Sequence, residues 1–194
     1  MQVDRFAIDG PLLITPRLFA DDRGFFFESW NQRSFNEALG VPAVPSPSFS
    51  QDNHSRSARG VLRGLHYQLE PEPQGKLVRC VVGEVFDVAV DLRRSSSTFG
   101  QWVGVRLSDT NHHQLWIPVG FAHGFLTLSE SAEVLYKAAG FYSKACERSL
   151  RWNDTDIGIE WPLGELAALT PLLAGKDAEA PSLQQAQQLG DVFQ

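Results

Sequence analysis

From about Gly60 to Trp152 the apolar residues come in short runs rich in Val, Phe, Leu and Trp, broken by Gly, Pro, Ser and Asn. A helical period is almost absent there, so the pattern predicts strands. They fall at residues 61–66, 76–82, 85–91, 102–107, 114–117, 122–128, 134–139 and 149–152, with an earlier one at 25–30. Alternation is clearest after Gly83, where Phe86, Val88, Val90 and Leu92 share one face and Asp87, Ala89 and Asp91 the other. Many short strands at this spacing predict an all-β sandwich, jelly roll or barrel. Helical signals are confined to residues 34–39, with Ser34 as cap and Gly40 as stop, and to residues 183–189. Residues 41–47, Val-Pro-Ala-Val-Pro-Ser-Pro, read as an extended connector. The stretch after Trp161, rich in Ala, Leu and Gln, reads as a loosely packed extension, and no internal repeat is found.

Length and composition narrow this picture. A chain of 194 residues, 43% hydrophobic, suits one domain over residues 1–194, with a barrel core at roughly 50–165. The start, Met-Gln-Val-Asp-Arg-Phe, lacks the basic and apolar regions of a signal peptide, and no later run is long and apolar enough to span a bilayer. A soluble cytoplasmic protein with no membrane partner is the expectation. Cys80 and Cys146 form neither a disulfide framework nor a zinc-type pair. A net charge of −6 argues against general nucleic-acid binding, which needs many phosphates neutralised at once. Arg56, Arg59, Arg63, Lys76 and Arg79 are nevertheless concentrated in one region. They suit either a cationic cleft for a small anion or a solvated edge strand.

The candidate chemistry lies around two motifs. Gly60-Val-Leu-Arg-Gly-Leu-His66-Tyr-Gln68 has the spacing of the first cupin motif, with Gln68 in place of its second His. Counting back from Gly83 puts Lys76 where that motif carries its Glu, and Pro118-Val-Gly-Phe-Ala-His123 matches the second motif. The four metal-ligand positions thus read His66, Gln68, Lys76 and His123, and a lysine ammonium electrostatically opposes a divalent ion. Neither a metal nor another cofactor is expected. Arg63 and His66 have opposite parity on one strand, so both can face a cavity only if the strand bulges or bends, for which Gly64 is suited.

Seven blocks give a resemblance that spans nearly the whole chain: Asp22-Arg-Gly-Phe-Phe-Phe-Glu28, Phe49-Ser-Gln-Asp-Asn53, the segment from Gly60 to Gln68, Asp87-Val-Ala-Val-Asp-Leu-Arg93, Ile117-Pro-Val-Gly-Phe-Ala-His-Gly-Phe125, Trp152-Asn-Asp154 and Lys176-Asp177. In this order they resemble the dTDP-4-dehydrorhamnose 3,5-epimerases. The resemblance implies a cupin-type jelly-roll β-barrel, a double-stranded β-helix with short peripheral helices. It implies that His66 is the general base, with Asp177 as its carboxylate partner and Asp87 a competing candidate from strand alternation. Tyr136 matches the acid and Lys76 the group that stabilises the enolate. Arg23, Glu28, Gln51, Asn53, Arg63, His123, Glu147 and Lys176 match substrate-binding positions. Phe19, Phe26 and Tyr142 are candidates to sandwich the nucleotide base, or else pack in the core or an interface. The implied substrate is a dTDP-sugar, dTDP-4-dehydro-6-deoxy-D-glucose, and the implied assembly is a homodimer that exchanges N-terminal strands. Three rivals remain at this point: a 3- or 5-only epimerase of a related sugar, a metal-dependent cupin oxygenase using His66, His112, His113 and His123, and a sugar-nucleotide binder without chemistry.

Overall fold

A computed structural model of the chain describes residues 1–40, 48–166 and 169–194. Its first strands are β1 (Gln2–Arg5), β2 (Leu12–Thr15), β3 (Phe19–Asp21), β4 (Gly24–Phe26), β5 (Phe49–Ala58), β6 (Leu62–Gln68) and β7 (Lys76–Val82). The rest are β8 (Glu84–Asp91), β9 (Trp102–Ser108), β10 (Gln114–Ile117), β11 (Phe121–Thr127), β12 (Ser131–Ala139) and β13 (Glu147–Ser149). Among the described residues three α-helices, α1 (Gln32–Leu39), α2 (Gly175–Ala178) and α3 (Leu183–Leu189), and a 3-10 turn at Leu163–Leu166 accompany them. A six-stranded sheet, β1-β2-β10-β7-β12-β5, faces a five-stranded one, β13-β6-β11-β8-β9, and β3-β4 form a separate hairpin. All the pairings between these strands are antiparallel. The result is a jelly-roll β-barrel with short peripheral helices.

Three apolar clusters follow from strand alternation. Val78, Val85, Ala89, Leu115, Phe125 and Val134 fill the space between the sheets. On the outer face of the six-stranded sheet, Leu12, Leu77 and Trp116 are covered by Phe35 of α1. The outer face of the five-stranded sheet presents Leu62, Leu65, Val88, Val90 and Leu126 to Leu150, Trp161, Leu183 and Val192. At about 1.5–3 kcal/mol per large side chain fully buried, these clusters supply the main stabilising term. The last of them revises the expectation of a loose tail. Ala180, Leu183, Ala186 and Val192 are buried, and Arg94 N–H donates to the Phe193 carbonyl at 2.8 Å.

Other expectations shift in detail. Strands 76–82 and 114–117 and helix 183–189 stand as expected. The strand expected at 25–30 is instead the short hairpin strand β4, and β1, β2, β3 and β5 are additional. The one expected at 149–152 is β13, which pairs with β6 and ends at Ser149. Helix α1 begins earlier than Ser34, because Asn31 accepts from the backbone N–H groups of Arg33 and Ser34 and so supplies the cap. Gly40 ends it in the left-handed conformation as expected. Residues 41–47, read as an extended connector, lie outside the described residues.

Candidate active site

The site is built on a break in β6. Leu62, Leu65 and Tyr67 belong to the outer apolar cluster, whereas Arg63 and His66 line a cavity of about 500 Å³ between the sheets. Regular alternation cannot give this pattern, and the β6–β11 register does shift between His123 and Phe125. Gly64 sits at the break with φ +122, and a Cβ there would lie 2.5 Å from Gly124 Cα. Only paired glycines let the strands approach this closely.

The break aims His66 at a carboxylate from the far end of the chain. His66 Nε2 lies 2.6 Å from Asp177 Oδ1, while Asp177 Oδ2 accepts from Gly64 N–H at 3.4 Å. Asp177 is buried, which favours its neutral form, but the His66 hydrogen bond and charge and the Gly64 N–H outweigh burial and hold its pKa below the ordinary value. An ionised Asp177 accepts from Nε2–H, which leaves His66 Nδ1 as the free basic nitrogen. Asp87, the competing partner, is taken up elsewhere: its Oδ1 lies 2.8 Å from His123 Nε2, and both residues are buried. Burial lowers the His123 pKa against the opposing pull of Asp87, so its imidazole is held toward neutrality.

Lys76 reaches this pair from the opposite sheet. Its ammonium donates to the His66 carbonyl at 3.3 Å. Burial pushes its pKa down to about 8, opposed by the carboxylates of Asp87 and Glu147, so it still carries its proton at neutral pH. Tyr136 also belongs to the six-stranded sheet, on β12, and lines the same cavity. Its phenol is raised by burial and lowered less by Arg63 and Lys176, which keeps it a proton carrier. The base-type and acid-type groups therefore stand on facing sheets with a cation between the walls.

Around the rim, Arg63 is braced by Ser57 Oγ at 2.9 Å and the Arg56 carbonyl at 3.2 Å. Lys176 pairs with Glu147 at 2.8 Å, and Tyr142 Oη donates to Glu147 at 3.1 Å. Burial raises the Glu147 pKa, but the Lys176 hydrogen bond and charge dominate and lower it. Gln51 and Asn53 bond to each other at 2.8 Å on the inward face of β5, and Gln51 accepts from Tyr142 N–H at 3.1 Å. Ser55, next in that parity, lines the cavity with a buried hydroxyl that has no partner among the described residues. The sequence reading missed it, although the alternation through Gln51 and Asn53 leads directly to it.

Some expected residues are not brought to this cavity. Arg23 is exposed on the β3–β4 hairpin, bonded to Asp21, and Glu28 bonds Asn31 at 3.0 Å. Phe19 and Phe26 are 52% and 70% exposed and border a second hollow with Glu28. The basic group of five divides as well. Arg63 and Lys76 face the cavity, Arg59 pairs with Glu130, Arg56 is exposed, and Arg79 lies on the other face of β7 by parity. Nor does the four-histidine ligand set assemble, since His112 packs against Phe25 and Phe27 at 4.8 and 5.3 Å. Gln68, in the place of a metal-ligand histidine, donates to the carbonyls of Glu72 and Phe141 and accepts from Ser143 N–H. Among the described residues, no three His, Cys, Asp or Glu side chains come together as a metal site.

Comparison with known proteins places this cavity among relatives. The model of the dTDP-4-dehydrorhamnose 3,5-epimerase family matches residues 5–185. A dTDP-4-dehydrorhamnose 3,5-epimerase of Salmonella typhimurium is 59% identical over 186 residues, covering 96% of this chain and 97% of the relative. Among solved structures, the dTDP-6-deoxy-D-glucose-3,5-epimerase of Legionella pneumophila, in complex with dTDP-4-keto-L-rhamnose, superposes with a TM-score of 0.87 at 48% identity. That match covers 94% of this chain and 93% of the other. A 3'-monoepimerase from Streptomyces bikiniensis, in complex with dTDP-quinovose, gives the same TM-score of 0.87 at 34% identity, covering 97% and 91%.

Proposed function

The chain belongs to the dTDP-4-dehydrorhamnose 3,5-epimerase family, and from that premise we propose that it epimerises dTDP-4-dehydro-6-deoxy-D-glucose at C3 and C5 to dTDP-4-dehydro-L-rhamnose. The observation that carries this reading is the facing arrangement of His66–Asp177 and Tyr136 across a cavity that also holds buried Lys76. Carbons 3 and 5 flank one carbonyl, so a single oxyanion site serves both inversions. His66 Nδ1 removes the hydrogen from the carbon next to the 4-keto group. The electron pair moves into an enolate whose oxygen is met by the Lys76 ammonium, a contribution of about 3 kcal/mol or more for one well-placed donor. Tyr136 then gives its proton to the other face of that carbon. Exchange with solvent returns His66 and Tyr136 to their starting states. Because a proton leaves and one returns, the chemistry consumes no redox equivalent and calls for no metal.

The diphosphate of the substrate suits Arg63 and Lys176 at the rim through charge-assisted contacts, with His123, Gln51, Asn53, Tyr142 and Glu147 as further contacts. Arg23, Phe26 and Glu28 contribute from a second copy of the chain in a homodimer that exchanges N-terminal strands. Their exposure on and just after a hairpin away from their own cavity supports this, as does the apolar surface of Phe19, Phe25 and Phe26. The whole chain acts as one domain, and its sugar-nucleotide substrate suits a cytoplasmic location.

Incubation with substrate in deuterium oxide tests the reading. Label should enter at both C3 and C5. Label at one carbon only would replace it with a mono-epimerase, and no label would leave a binding protein.

A further inference from the structure

The carboxylate that orients His66 rides on a strap tied down at both ends. At one end Leu172 N–H donates to the Gly60 carbonyl at 2.8 Å and the Leu172 carbonyl accepts from Leu62 N–H at 3.0 Å. Its other end is fastened at two points: Arg151 N–H donates to the Pro181 carbonyl at 2.9 Å, and Leu183 N–H donates to Asp154 Oδ2 at 3.0 Å. Between the anchors the four-residue helix α2 carries Lys176 and Asp177 along the cavity wall. So short a helix has little stability of its own, and its position depends on what holds its ends.

Both anchors refer back to the strand that carries the base. Gly60 and Leu62 lead into β6, and Leu65, beside His66, exchanges two backbone hydrogen bonds with Leu150, at 3.2 and 2.9 Å. Residues 150–154 therefore form a frame fixed to β6. Asp154 is a buried side chain in that frame, and its two oxygens have separate tasks. Oδ1 accepts from Asp156 and Ile157 N–H at 2.9 and 3.2 Å, holding its own turn, while Oδ2 reaches across to the strap.

We propose that Asp154 is a positioning residue for proton abstraction, fixing Asp177 against His66 by anchoring the strap at Leu183. It touches neither substrate nor the reacting atoms. This deepens the function proposed above and rests on the role given there to the dyad. Asp177 is short and buried, so a displaced strap cannot be offset by its side chain. Lys176 is long and half-exposed and can still reach a phosphate. Loss of the anchor therefore falls on kcat more than on KM.

Asp154→Asn isolates the link. Its carbonyl oxygen still serves Asp156 and Ile157, while its amide meets Leu183 N–H donor to donor. The expected result is a kcat lower by roughly ten- to a hundredfold, the scale of a small misplacement at a reacting group. KM should change by less than about threefold on that scale. The second readout is coupling: Asp154→Asn added to Asp177→Asn should lower kcat little further, because both act through one carboxylate. If Asp154→Asn does not fold, Leu183→Pro removes the same N–H at a first helical position where Pro is accepted, with Leu183→Ala as the matched loss of side chain. Multiplying effects in the double variant, or equal kcat in Leu183→Pro and Leu183→Ala, would overturn the assignment of Asp154. An unchanged kcat in Asp177→Asn would instead overturn the dyad.

Discussion

His66 and Asp177 are 111 positions apart in the chain and meet at 2.6 Å. The contact selects a tautomer, because a carboxylate held ionised accepts Nε2–H and leaves Nδ1 for the role of base proposed above. Asp177→Asn should reverse that choice. Gly64 N–H donates toward one side-chain oxygen, so the amide carbonyl turns to Gly64 and its NH₂ faces His66. Nε2 must then accept, and Nδ1 takes up the proton. The variant should bind dTDP normally and lose about 10²- to 10⁴-fold in kcat, as when a base is held in its wrong tautomer. Steady-state kinetics with equilibrium binding of dTDP checks this; a kcat within threefold of the parent would sink the tautomer argument.

His66→Ala removes the proposed base itself. Exchange of solvent deuterium should vanish at C3 and C5 together, by about 10³-fold or more, with dTDP affinity retained because Arg63 and Lys176 are untouched. Nuclear magnetic resonance of the recovered sugar reports each carbon separately. Exchange surviving at one carbon would mean that a second base serves it.

Lys76 sets function against stability. Its folded pKa, near 8, lies below the ordinary lysine value of 10.5, so the unfolded chain holds the proton more tightly through that window. Below about pH 8 both states are charged and the folded state carries the full desolvation cost, on the order of 3 kcal/mol. Stability from this group therefore rises as pH climbs from about 8 to 10.5 and is level above that. Lys76→Met should melt higher than the parent at pH 7, with the gap closing toward pH 10.5, while kcat falls by about 10²- to 10³-fold. The kcat of the parent should decline above about pH 8 as the ammonium is lost. Equal melting curves at pH 7, or an active Met variant, would contradict the role given to this lysine.

The apolar strands were legible because their side chains face apolar layers. Val85, Val88 and Val90 are fully buried, and the alternation that predicted β8 is the alternation that packs it. β5 was not legible, since its less exposed face carries the polar Gln51, Asn53 and Ser55, the last lining the cavity, and its other face turns His54 and Arg56 to solvent, so the strand has no apolar period. The parity conflict between Arg63 and His66 did foretell a break at Gly64, because face assignment is a local property. Which aspartate served which histidine was not local. Asp87 and Asp177 both suit the sequence pattern, and only the tertiary approach of α2 to β6 separates them. The tail read as loose because its buried apolar residues, Leu166, Ala180, Leu183, Ala186 and Val192, are few for its length, and its backbone hydrogen bonds leave no mark on composition.

Gln68 and Lys76 stand where a metal cupin carries ligands, and each has another engagement. Activity should therefore be unchanged by prolonged dialysis against EDTA and unaffected by added divalent ions. Loss on chelation, restored by one metal, would return the oxygenase-type reading to contention.

Tyr136 offers the sharpest separation of steps, because abstraction and reprotonation are assigned to different walls of the barrel. Tyr136→Phe removes a proton and almost no volume, so the packing of its ring, 6.5 Å from that of His123, should persist. His66 and Lys76 remain, and the enolate still forms. Without a donor on the far face, the proton returns from the side it left. Label should wash into C3 and C5 at a rate near the parent's, while net inversion drops by about 10²- to 10⁴-fold. Measuring exchange and product formation in the same tube distinguishes this from a general loss of activity, in which both would fall together. If the Phe variant inverts at the parent rate, the phenol only lines the cavity, and the proton must come from water.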